Sequence, residues 1–186
     1  MAIEIEKKFR LTKEQREAVL ARLREIGASL KADEFEENIL YDGKPIDPTK
    51  AVLRLRRTDK AAFLTFKQRV PTNSAIKYRQ EDETHIADAD AMAAILKALG
   101  FTPALVYEKH RMTWEFGDSE ILIDDLPFGL FMEIEGTEDE IIDIERKLDI
   151  KDLKTEHNTY PTLTRIHGQK RGHLIEARFE QGARKL

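Results

Sequence analysis

Glu4, Glu6 and Lys8 alternate through the first nine residues, and alternation is the two-residue period of a strand. One face of that ribbon carries two carboxylates and an ammonium; the other carries Ile3, Ile5 and Phe9. Adjacent carboxylates repel one another unless a cation lies between them or a proton is shared. An edge strand with its charges in water meets the same description, so the case for chemistry rests on recurrence further along the chain.

The pattern recurs. Arg54 and Arg56 oppose Leu53 and Leu55, and Thr65, Lys67 and Arg69 oppose Leu64 and Phe66. Lys77, Arg79, Glu81 and Glu83 share a face, as do Lys109 and Arg111 opposite Met112, Trp114 and Phe116. Glu120 and Asp124 oppose Ile121 and Ile123, while Glu133 and Glu135 oppose Met132 and Ile134. An acidic set (Glu4, Glu6, Asp124, Glu133, Glu135) thus comes from both ends of the strand-rich region. A basic set (Lys8, Arg54, Arg56, Lys67, Arg69, Arg79, Lys109, Arg111) comes mainly from its middle. Arginine presents a planar fork that grips phosphate oxygens in pairs. Clustered hard carboxylates suit Mg²⁺ or Mn²⁺, which favour oxygen ligands and bridge to substrate phosphates. Solvated faces or cross-strand ion pairs are the plainer account of any one pair, and it is the repetition that favours a metal-bound oligophosphate.

Amphipathic helices interrupt the strands and receive their apolar faces. Thr12 and Gln15 form a capping box ahead of Val19, Leu20, Leu23 and Ile26. Asp88 caps a second helix with the stripe Met92, Ile95, Leu96 and Leu99, and Thr137 with Glu140 caps a third carrying Ile141, Ile144 and Leu148. The expected fold is α+β: an eight-stranded antiparallel β-barrel, closed or nearly so, with a charged interior and helices packed outside. Residues 1–168 form that domain, followed by a polar, mildly basic tail, 169–186, in which Leu174, Ile175 and Phe179 are available for docking.

Composition narrows the partners. With 35% charged residues but a formal net charge of only -4 in 186 residues, the charges are mixed in sign, and no nucleic-acid surface is indicated. The absence of cysteine excludes disulfides, thiolate metal sites and cysteine nucleophiles. No apolar run reaches membrane-spanning length and no signal-peptide pattern follows Met1, so a cytoplasmic protein is expected.

Glu4-Ile5-Glu6-Lys7-Lys8 resembles the ExExK signature of the CYTH superfamily, the triphosphate tunnel metalloenzymes. Leu53-Arg54-Leu55-Arg56 is similar to that family's Leu-Arg-x-Arg strand, and Leu64-Thr65-Phe66-Lys67 to its Leu-Thr-x-Lys segment. Residues Arg79 to Glu83 resemble its Arg-x-Glu-x-Glu, and Lys109-His110-Arg111 its Lys-x-Arg. Asp124 resembles its late aspartate, and Phe131 to Glu135 its Phe-x-Glu-x-Glu. The ordered set spans nearly all of residues 1–163. The resemblance implies a triphosphate tunnel with Glu4, Glu6, Asp124, Glu133 and Glu135 as metal-facing residues. Lys8, Arg54, Arg56, Lys67, Arg79, Lys109 and Arg111 would hold phosphate, with Glu4, Glu6 and Lys8 catalytic. Mg²⁺ or Mn²⁺ is the implied cofactor, a homodimer the family-style assembly, and tripolyphosphate, ATP or a similar small molecule the partner. The chain reads Leu40-Tyr41-Asp42 where many triphosphatase members have two tyrosines before the aspartate, which disfavours thiamine triphosphate.

Three activities follow from the resemblance: hydrolysis of a triphosphate as the first expectation, cyclisation of ATP by a class IV adenylyl cyclase as the second, and polyphosphate binding without turnover as the third.

Overall fold

The structure is a computed structural model describing residues 5–47, 49–69 and 79–180, with backbone alone at Arg69, Arg79 and Gln80. Its strands are β1 (Glu6–Leu11), β2 (Ser29–Asp42), β3 (Ala51–Thr58), β4 (Ala62–Arg69), β5 (Arg79–Ile86), β6 (Thr102–Phe116), β7 (Ser119–Leu126), β8 (Gly129–Glu135), β9 (Lys154–Thr155), β10 (Gln169–Arg171) and β11 (Leu174–Ala177). The helices are α1 (Lys13–Glu25), α2 (Ala89–Ala98), α3 (Glu138–Leu148) and α4 (Tyr160–His167). The chain divides into two compact units. One holds Glu4–Glu34 and Lys109–Asn158, here the β1–β8 unit; the other holds Phe35–Glu108 and the chain from Thr159 onward, here the β3–β4 unit.

In the β1–β8 unit, β8 lies between β1 and β7, and β7 pairs with β6, all antiparallel. Alternation sends Phe9, Trp114, Ile121, Ile123, Met132 and Ile134 to one face, where Val19, Leu20 and Leu23 of α1 and Ile141, Ile144 and Leu148 of α3 close over them. Each fully buried Leu or Ile there contributes about 1.5–3 kcal/mol. The entry into α1 is set by the expected box: Gln15 N–H donates to Thr12 Oγ1 at 3.2 Å and Thr12 N–H to Gln15 Oε1 at 2.8 Å. Thr12→Ala should therefore lower stability by about 0.5–2 kcal/mol in chemical denaturation, with little change in the fold's circular dichroism.

In the β3–β4 unit, β3 lies between β2 and β4, and β4 pairs with β5. Tyr41, Leu53, Leu55 and Leu96 form its core, with Met92, Ala93 and Phe101 packed against them. The expected stripe on α2 is corrected here. Leu96 is buried, but Ile95 is 50% and Leu99 68% exposed, because the short helix leans on the sheet through the Met92–Ala93–Leu96 arc instead. The tail contributes β10 and β11; β11 runs parallel to β6 at Leu105–Tyr107, just before the β7 ladder begins at His110. Buried Glu108 then accepts from Phe179 N–H at 2.8 Å and from Arg178 Nη1 at 2.9 Å. Burial opposes the charge on Arg178, but hydrogen bonds to Glu37, Glu176 and Glu108 outweigh it and hold its pKa above the ordinary guanidinium value.

Eight strands closed, or nearly closed, into a barrel were expected; the described strands number eleven, paired in the order β5-β4-β3-β2-β6-β7-β8-β1-β9, with β10 and β11 off that path. Among the described residues no ladder joins β5 to β9. The outer edge of β1 is already satisfied: β9 pairs with it, and Glu156 N–H donates to Lys8 C=O at 2.8 Å. No helix among the described residues is long and apolar enough to cross a membrane.

Candidate functional site

The second face of the β1–β8 unit is where its charges converge. Antiparallel register sets Lys8 opposite Glu133, Glu6 opposite Glu135, and Arg111 opposite Asp124, so each pair shares a face. Lys8 Nζ lies 2.9 Å from Glu133 Oε1 and donates to the Asn158 carbonyl at 3.3 Å. Arg111 uses its fork on Asp124, Nε to Oδ1 at 2.7 Å and Nη2 to Oδ2 at 2.5 Å, and Nη2 also reaches Glu133 Oε2 at 2.7 Å. Lys109 Nζ stands 3.5 Å from Asp124 Oδ1. Asp124 is wholly buried, and Lys8, Lys109 and Glu133 nearly so. Burying charges is costly unless they are paired and hydrogen-bonded, and here the pairing is continuous.

This buried network joins Lys8, Lys109 and Arg111 to Glu133 and Asp124. At its end, carboxylate oxygens of Glu6, Glu133 and Glu135 lie within 4.8 Å of one another, in order of exposure Glu6, Glu135, Glu133. An all-oxygen, all-carboxylate set of that spacing fits a hard divalent cation. Asp124, grouped with the acids in the sequence, is outside this cluster and holds Arg111 instead. Glu4 lies outside the described residues.

The β3–β4 unit carries a second charged face. Arg56 Nη2 reaches both oxygens of Glu83, at 3.0 and 3.2 Å, and Nη1 is 3.7 Å from Glu36. Arg54 Nη2 donates to Thr65 Oγ1 at 3.3 Å and lies 3.8 Å from Glu81; Thr65 in turn donates to Glu83 at 2.7 Å. Lys67 pairs with Glu81. Burial works to lower the pKa of Arg54, but Tyr107, Glu36 and Glu81 more than offset it, so its charge is held firmly. Arg54 Nε and Arg56 Nε have no hydrogen-bond partner among the described residues, and unmatched buried donors of that kind suit oxyanion oxygens. Arg79 starts β5, and its side chain lies outside the described residues.

Of the expected site residues, Glu6, Lys8, Lys109, Arg111, Asp124, Glu133 and Glu135 are brought together in one unit, and Arg54, Arg56 and Lys67 in the other. Sequence reasoning passed over Glu36, Asn38 and Tyr107, all buried. Glu36 and Asn38 share a face with Leu40, and this apolar residue together with the neighbouring Glu34 and Glu37 blurs the period.

Residues 2–160 match the CYTH domain. The chain belongs to the CYTH domain family. The match ends at the start of α4, so β10 and β11 lie beyond it. A Methanocaldococcus jannaschii protein named "Putative adenylate cyclase MJ0240" is 32% identical over 148 residues, 78% of this chain and 81% of that protein. Among similar solved structures, a conserved hypothetical protein from Pyrococcus furiosus superposes with a TM-score of 0.73 at 22% identity, covering 86% of this chain and 99% of that one. The structure described as "Putative adenylyl cyclase HpAC1 from Hippeastrum reveals a dominant triphophatase activity" gives a TM-score of 0.66 at 17% identity, covering 89% and 96%. At these identities the two structures establish the fold alone.

Proposed function

We propose that this CYTH protein is a divalent-metal-dependent enzyme that hydrolyses a triphosphate. The observation carrying this reading is the adjacency of the Glu6–Glu133–Glu135 carboxylates to the cations Lys8 and Arg111, with Lys109 next in the same network. Glu6, Glu133 and Glu135, with Glu4 as a further proposed ligand, would hold Mg²⁺ or Mn²⁺. The ion would supply charge neutralisation on the phosphates and a lowered pKa for a reacting water.

Phosphoryl transfer asks the protein mainly for alignment and charge stabilisation. Water adds to the terminal phosphorus, the bond to the bridging oxygen breaks, and the remaining diphosphate group (pyrophosphate when the substrate is tripolyphosphate, the diphosphate ester when it is an organic triphosphate) leaves with the electron pair. Lys8 and Arg111 hold the phosphoryl oxygens, and Lys109 supports the charge that develops on the leaving group. Asp124 keeps the Arg111 fork in place. Glu6, the most exposed carboxylate of the three, accepts the water's proton.

The cyclase reading has the name of the archaeal relative in its favour. In it the ribose 3′ oxygen replaces water and attacks the α-phosphorus. Turnover of tripolyphosphate and ATP with Mg²⁺ and with Mn²⁺, products separated, decides between them. Hydrolysis predicts orthophosphate from tripolyphosphate and no cyclic AMP; cyclic AMP from ATP overturns it. The triphosphatase activity named for the Hippeastrum protein accords with the first outcome.

A further inference from the structure

The turn that follows β9 brackets Lys8 from two sides. Glu156 N–H donates to the Lys8 carbonyl at 2.8 Å, and the Asn158 carbonyl accepts from Lys8 Nζ at 3.3 Å. The Glu156 carboxylate shapes that turn. Its Oε1 accepts from Asn158 N–H at 2.9 Å and from Asn158 Nδ2 at 3.0 Å, while Oε2 accepts from Arg10 Nη2 at 3.2 Å. Burial pushes the Glu156 pKa up, but the hydrogen bonds from Asn158 and Arg10 outweigh it and hold the group below the ordinary glutamate value. Arg10 is placed in turn by the Phe131 ring, whose centroid lies 5.0 Å from its guanidinium carbon. Every one of these residues belongs to the β1–β8 unit.

We propose that Glu156 is a positioning residue for the hydrolysis: by fixing the Asn158 carbonyl it aims the Lys8 ammonium at the phosphoryl oxygens, without touching substrate itself. The inference rests on the reading above, in which Lys8 holds those oxygens. A lysine ammonium is a point charge on a flexible four-carbon stem, and an acceptor on one side, Glu133 on β8, leaves that stem a range of positions. The Asn158 carbonyl is a second acceptor on a different element and narrows the range. It is only as well placed as its turn, and β9 reaches β1 through Phe9–Thr155 and Arg10–Lys154 alone. The carboxylate supplies the constraint that so short a ladder lacks. Misplacing a group that holds substrate by about 1 Å can cost on the order of a hundredfold in rate.

The test measures tripolyphosphate turnover in wild type, Glu156→Ala, Glu156→Gln, Lys8→Met and the Lys8→Met/Glu156→Ala double variant, with exchange of the Asn158 amide followed by NMR. Alanine removes all the side-chain bonds, so kcat/KM should fall by about ten- to a hundredfold and the Asn158 N–H should exchange faster. Glutamine keeps an oxygen for the two Asn158 donors and turns its NH₂ toward Arg10, so its kcat/KM should stay within about threefold of wild type. In the Lys8→Met background, Glu156→Ala should change kcat/KM by no more than about twofold. A purely structural role predicts instead the same fractional loss in both backgrounds, in step with a lowered melting temperature. That result overturns the proposal, as does glutamine losing as much as alanine. If the alanine variant fails to fold, a loss of about tenfold or more in Glu156→Gln, or an Asn158 N–H that exchanges in wild type at the rate of an unprotected amide, overturns it equally. The exchange measurement needs no turnover, so it separates two failures. An unprotected Asn158 in an active wild type ends this inference and leaves hydrolysis standing; a protected Asn158 in a wild type that turns over no triphosphate ends the hydrolytic reading and the positioning role with it.

Discussion

Replacing Glu133 by Gln should lower triphosphate turnover by on the order of a hundred- to a thousandfold, the range seen when one preorganised group stabilising transition-state charge is removed. Both oxygens of Glu133 are committed, Oε1 to Lys8 and Oε2 to Arg111, and the same carboxylate belongs to the Glu6–Glu133–Glu135 cluster. Glutamine keeps the shape but turns one acceptor into an NH₂ group. That group meets either an ammonium or a guanidinium, donor against donor, so one phosphate-holding cation loses its orientation. The cluster also loses one unit of charge, so the metal requirement should shift to higher Mg²⁺ concentration. Steady-state kinetics across a metal titration, with thermal melting alongside, measures both effects. A protein that merely binds polyphosphate predicts something else: no turnover to lose and affinity nearly unchanged. Activity within about threefold of wild type, in a folded variant, would remove Glu133 from the proposed machinery.

The period-two reading placed these groups on one face correctly because alternation is a local property. Glu133 and Glu135 opposite Met132 and Ile134, and Arg111 opposite Met112, are decided by the pleat alone. Register is different. That Lys8 meets Glu133 and Arg111 meets Asp124 depends on which strands become neighbours, and no window of sequence contains both partners. This is why the sequence alone does not show that Asp124 pairs with Arg111. Strand count suffered for a related reason: β9, β10 and β11 are two to four residues long, too short to show a period. The stripe on α2 erred because Ile95 and Leu99 have the right spacing for a wider buried face than the sheet covers. Asn38 was illegible in principle, since an orphaned acceptor exists only once its neighbours are in place.

Asp124→Ala should cost about 3–5 kcal/mol of stability, the range for removing one partner of a buried ion pair. Asp124 has no exposure and takes two hydrogen bonds from Arg111 with Lys109 close by. Deleting it brings two cations, Lys109 and Arg111, to face each other in a site water barely reaches. Arg111 keeps its bond to Glu133, which softens the loss, whereas Lys109 is almost wholly buried and would be left in a desolvated place. Asp124→Asn separates charge from shape. The amide still accepts once from the guanidinium, so any stability it retains over alanine reports the hydrogen bond, and the remainder reports the charge. A triphosphate ligand supplies negative charge to the same cations, so it should stabilise the alanine variant more than wild type in a thermal shift. That excess is the informative quantity, because a structural ion pair unrelated to ligand predicts none. Denaturant unfolding of the three proteins with and without tripolyphosphate reads all of these terms. A loss under about 1 kcal/mol for alanine, the level of an exposed pair, would mean that these charges do not share a desolvated site.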